Sequence, residues 1–151
     1  MRQSWSLKRD RLVVAATWLR TARRDLELAR SIVDRAPSLS AFHAQQAAEK
    51  ALNALAVARV DDHPRTHTAG RLVRELREID ATIDQAIERD APALDLFFFT
   101  SRYPDTIGDE DPGDIIAPED AKIAVGRATR VFSFVDARLA ALVTFLGDQR
   151  P

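Results

Sequence analysis

The chain has 151 residues, 46% hydrophobic and 30% charged, a make-up that fits one folded domain over 1–151 and excludes a disordered one. With 22 Lys and Arg against 23 Asp and Glu its net charge is -1, so no overall field draws it onto nucleic acid, though a local basic patch stays open. It has no cysteine, which excludes disulfides and thiolate sites, and no apolar run near the roughly 18 residues of a membrane span, so a cytoplasmic protein is expected.

Only 5 Gly and 7 Pro interrupt a sequence rich in Ala, Leu, Arg and Glu, which lose little rotamer freedom in a helix. Leu12, Ala15, Leu19, Ala22, Leu26, Ala29 and Val33 recur at three- and four-residue intervals, predicting a first helix from about Leu7 to Arg35. Ala36-Pro37 ends it, because a residue before proline is pushed out of the helical region. Ser38 or Ser40 is expected to cap a second helix, Ala41 to about Arg59. Its Ala44, Ala47, Ala48, Ala51, Leu55 and Ala58 form a face of mostly small side chains, as the central helix of a bundle would need.

Residues 60–67 read as a polar loop. Thr66 or Thr68 can cap a third helix through Leu72, Leu76 and Ile79, although Gly70 weakens it. A fourth helix is expected over Ile83 to Ser101, with Phe97 and Phe98 inward and Pro92 kinking or splitting it near Asp90. Three consecutive rings, Phe97 to Phe99, cannot all turn to one side of a helix. At least one faces away from its own core, toward a subunit interface or beneath a neighbouring loop. An acidic, irregular stretch covers 102–117, and a last helix runs from Glu119 to about Asp148. The fold expected is all-α, a single up-and-down bundle of about five helices.

The second helix carries a further face. Phe42, Gln46, Glu49 and Asn53 project within one narrow arc, with Lys50 beside them, and could bind a base or ribose or form a polar subunit contact. From spacing alone a solvated helix face is the simpler reading. His63 and His67 have the i, i+4 spacing of metal ligands, but Pro64 lies between them and no third ligand is evident, so no metal site is expected. The acidic loop does not match an EF-hand, and no P-loop, dinucleotide fingerprint or nucleophile elbow occurs.

Several runs carry a family resemblance when taken in order. They are Trp18 with Ala22, Asp25-Leu26 and Ala29; Phe42-His43-Ala44-Gln45-Gln46-Ala47-Ala48-Glu49-Lys50-Ala51-Leu52; Thr66-His67; and Ser101-Arg102-Tyr103-Pro104-Asp105. In that order they resemble the HEPN (higher eukaryotes and prokaryotes nucleotide-binding) family, over roughly Trp18 to Val135. The resemblance implies a five-helix bundle, usually a homodimer, often encoded beside a small nucleotidyltransferase in a two-component or toxin–antitoxin pair. Many relatives are metal-independent ribonucleases with an Arg-x4-6-His motif, whose His moves protons and whose Arg stabilises phosphate charge at the dimer cleft.

This chain departs from that motif. Three residues separate Arg59 from His63 and seven separate it from His67, while no histidine follows Arg102. The expectation is therefore a HEPN-like module, non-catalytic and without a cofactor, that binds nucleotide or RNA and pairs with a nucleotidyltransferase. Its candidate binding residues are Gln46, Glu49, Lys50, Asn53, Arg102 and Tyr103. The alternatives are a divergent ribonuclease using Arg59, His63, His67 or Arg102, and a structural helical adaptor. Arg102, held before Pro104, has two uses open to it: pairing with Glu49 across the bundle, or presenting its planar donors to phosphate.

Overall fold

A computed structural model describes residues 2–60, 68–79 and 82–148. The first apolar stripe forms α1 (Arg2–Ile32) and buries Ala15, Ala22, Leu26 and Ala29. Helix α2 (Pro37–Arg59) starts earlier than expected, with Ala36 in the N-cap position and no side chain bonding there. Pro37 both stops α1 and opens α2, since its fixed φ suits the first helical position and its missing N–H costs nothing there. Ser38 and Ser40 therefore lie inside the helix rather than capping it. The buried Ser40 hydroxyl instead donates to the Ala29 carbonyl of α1 at 2.7 Å.

Helix α2 is central. Ala41, Ala44, Ala47, Ala48, Ala51 and Ala54 are all 0% exposed, so their small side chains let neighbours approach from several sides. It packs most extensively on α1 and then on α7 (Pro118–Asp148). Helix α3 (Ala69–Ile79) and α4 (Gln85–Asp95) pair with each other and close a further side.

Gly70 fits α3 because of that pairing. A Cβ there would sit 3.1 Å from the Cα and Cβ of Pro92 and from the Asp95 carboxylate. Gly70→Ala would gain helix propensity but must push α4 outward, and the crowding wins. The substitution is expected to lower stability by about 1–2 kcal/mol, read by urea unfolding. An increase in stability would show that α4 yields freely.

The fourth segment breaks at Leu96 rather than near Asp90, leaving the single turn α5 (Phe97–Thr100). Asp90 and Asp95 stand on either side of Pro92. Asp90 is bonded to Arg130 of α7, and Asp95 to the start of α3, so the helix is held across the proline and gives way after the second anchor. Beyond it lie a 3-10 turn (Pro104–Ile107) and α6 (Pro112–Ile115), which Asp111 caps through the Gly113 N–H at 2.8 Å. Among the described residues there is no strand, and no helix is long and apolar enough to cross a membrane. The result is an all-α bundle with one buried cluster.

Candidate functional site

The polar face of α2 is not a solvated one. Glu49 is 5% exposed and Asn53 3%, and both lie among buried alanines and leucines. Gln46 donates to the Gln45 amide oxygen at 2.8 Å and to the Glu49 carboxylate at 3.3 Å. Gln45, fully buried, donates to Glu49 at 3.2 Å and makes a longer contact of 3.5 Å with Asp95. Asn53 turns its amide back onto the Glu49 carbonyl at 3.0 Å. Buried polar groups without partners are costly, so this network fixes each side chain in place.

Asp95 extends the network to a third helix. One carboxylate oxygen accepts the Ala69 N–H and the other the Gly70 N–H, each at 2.8 Å. Two donors of the first turn of α3 are thus satisfied from α4, 26 and 25 residues away. Thr68, one of the two expected caps, directly precedes α3, while Thr66 lies outside the described residues. Gln45 and Asp95 were both missed, because spacing along one helix cannot show a contact made by folding.

Arg102 stands at the N-terminal end of the same strip. Its guanidinium lies 4.2 Å from the Phe42 ring centroid and 4.9 Å from those of Phe98 and Tyr103. Nε and Nη2 both donate to the Phe98 carbonyl, at 3.1 and 3.0 Å. Pro104 drives Tyr103 into an extended conformation (φ -118, ψ 115), which ends α5 and fixes the backbone from which Arg102 leaves. Glu49 does not bond Arg102, so the structural pairing is excluded. Among the described residues only the Phe98 carbonyl accepts from this guanidinium, and its outer donors are turned to no carboxylate. Tyr103 is 44% exposed beside it, with Phe99, 55% exposed, against its ring.

Phe42, Gln46, Glu49, Asn53, Arg102 and Tyr103 thus come together. Lys50 does not join them. It is drawn to Asp25 of α1, with Nζ 2.5 Å from one carboxylate oxygen, while His43 Nδ1 lies 2.9 Å from the other. That triad, also missed, ties α2 to α1. A second tie joins Asp90 to Arg130 through bonds of 2.6 and 3.0 Å. The hydrogen bond to Asp90 raises the Arg130 pKa above its ordinary value.

Arg59 is exposed in the last turn of α2, where a cation suits the helix dipole. Phe42, under Arg102, lies seventeen residues before it, roughly 25 Å along the helix axis. Arg59 and Arg102 therefore cannot serve one site within one chain. His63 and His67 lie outside the described residues. Among the described residues no cluster of His, Asp or Glu could hold a metal.

Known proteins share this fold. The family profile described as the HEPN domain matches residues 15–138. A protein from Thermus thermophilus (TT1696) superposes with a TM-score of 0.75 at 29% identity, covering 82% of this chain and 96% of that one. An archaeal HEPN homologue superposes with a TM-score of 0.68 at 28% identity, covering 83% and 97%. No curated protein matches the chain.

Proposed function

The chain belongs to the HEPN family, and from that premise we propose that it is a non-catalytic HEPN module, binding nucleotide or RNA phosphate through Arg102 and pairing with a nucleotidyltransferase. The observation that carries the binding is the aromatic seat of the guanidinium. Stacking on Phe42 and a carbonyl behind Nε hold the fork in one plane, and such a preformed fork suits phosphate oxygens. Tyr103 offers an exposed ring on which a base can stack.

The test is a titration of labelled single-stranded RNA followed by fluorescence anisotropy. Saturable binding that weakens steeply with salt is expected. No binding at low salt would remove the proposal. The rival ribonuclease needs an imidazole beside Arg102. His43, next to Phe42 on α2, turns Nδ1 to Asp25 of α1, and the non-catalytic reading is supported by the missing Arg-x4-6-His spacing.

The same end of the bundle supports a homodimer. Phe99 (55% exposed) and Leu96 (69%) form an apolar surface next to Tyr103. Light scattering at micromolar concentration should give twice the 16.8 kDa of one chain. A single 16.8 kDa species would show that these residues stay in water. The nucleotidyltransferase pairing rests on the family resemblance, and co-purification with a nucleotidyltransferase encoded beside this chain tests it.

A further inference from the structure

Phe42 and His43 are neighbours on the second turn of α2, and a helix sends neighbouring side chains out about 100° apart. Phe42 meets the Arg102 guanidinium, 4.2 Å from its ring centroid, and His43 turns to α1. The two rings still touch edge to face, with centroids 5.2 Å apart. Arg102 and His43 thus both adjoin one phenyl ring, and lie no farther apart than those two spacings end to end. Successive phosphates of a single strand are separated by a distance of that order.

The imidazole is held in one tautomer. Its Nδ1 lies 2.9 Å from one oxygen of Asp25, and Lys50 binds the other oxygen at 2.5 Å. A carboxylate paired with an ammonium only accepts, which assigns the Nδ1 position its proton. In the neutral ring Nε2 is then a bare acceptor and repels a phosphate oxygen. In the imidazolium it is a charged donor and binds one. Nε2 makes no bond of its own among the described residues, and the side chain is 26% exposed. Asp25 faces the ring from α1, Lys50 joins through that aspartate from two turns along α2, and Arg102 stands across Phe42 beyond α5. No other charged group pairs with it among the described residues.

Resting on the reading of Arg102 as a phosphate site, we propose that His43 is a second, acid-strengthened phosphate contact, so that the site takes a strand with two successive phosphates rather than a single nucleotide. Arg102 holds one diester at any pH, because a guanidinium stays charged. The protonated His43 holds the next, with Phe42 between them. Binding therefore takes up a proton: the His43 contribution is present in acid and is lost as pH rises and the ring becomes neutral. Asp25 is a positioning residue, since its carboxylate fixes the tautomer and steadies the charged ring. A ring that only tied α1 to α2 would need Nδ1 and nothing at Nε2.

The test titrates the full chain with oligouridylates that lack terminal phosphates and carry a pH-insensitive dye. Neither their diesters nor their bases change charge between about pH 5.5 and 8, the window in which imidazoles do. For hexauridylate, Kd should fall at least about tenfold from the top of that window to the bottom. The gain should be absent for UpU, which has one diester. His43→Asn keeps a donor where Nδ1 stands and removes Nε2, so its melting temperature should match wild type while its hexauridylate Kd ignores pH. The other imidazoles are His63 and His67, and a pH response that survives in His43→Asn would belong to them and overturn the proposal. An equal gain for UpU would place both groups on one phosphate and do the same. A Kd flat with pH, in a protein whose binding Arg102→Ala still abolishes, would remove His43 and leave the Arg102 reading standing. Binding indifferent to Arg102→Ala would remove that reading and this proposal with it. Cleavage of hexauridylate that disappears in His43→Asn would make the imidazole a ribonuclease base and overturn both.

Discussion

Replacing Asp95 by alanine should lower stability by about 2–4 kcal/mol, the largest effect expected of any polar substitution in the bundle. Its carboxylate accepts two backbone N–H groups at the start of α3, both at 2.8 Å, and both belong to buried residues. Water cannot readily reach those donors once the acceptor has gone, so the loss includes their desolvation as well as the bonds themselves. The negative charge also lies at the positive end of the α3 dipole. Asp95→Asn keeps one acceptor oxygen and loses the charge, and should cost about half as much. The series is read by urea unfolding. A loss below about 0.5 kcal/mol for Asp95→Ala would mean that solvent replaces the carboxylate.

Arg102→Ala is expected to abolish RNA or nucleotide binding while lowering stability by no more than about 1–2 kcal/mol. The stability term is small because the partners lost are one carbonyl and the faces of three rings. A guanidinium holding the buried Glu49 would give about 3–5 kcal/mol instead, because removing it would strand a carboxylate. Arg102→Lys keeps the charge but loses the planar fork and its stacking, so it should bind more weakly than wild type and more tightly than alanine. A variant that melts and binds like wild type would remove Arg102 from the site. A variant that loses both stability and binding heavily would return it to a structural role.

Much of this arrangement was legible in the sequence, for reasons that also mark its limits. The apolar stripes of α1 and α7 and the alanines of α2 have the period of a helix, and packing obeys it. The arc of Phe42, Gln46, Glu49 and Asn53 follows from the same period, but its environment does not. Whether that arc meets water depends on Gln45 and Asp95, and Asp95 lies fifty residues further along the chain. Lys50 shares the neighbourhood of the arc yet turns to Asp25, because a long cation follows the nearest carboxylate rather than the helix angle. Helix α2 starts at Pro37 and not at Ala41, because a proline suits the first helical position and the serines after it then fall inside the helix. The break after Asp95 required knowing that two aspartates are anchored to other helices.

The central claim is that the Arg102 site binds phosphate without cutting it. Its most direct test is to incubate a labelled single-stranded RNA with the purified protein and follow binding and chain length in the same samples. The RNA should be retained at low salt, released between about 50 and 200 mM salt, and recovered at full length throughout. Cleavage that disappears in Arg102→Ala or His67→Ala would contradict the account and establish a divergent ribonuclease in its place.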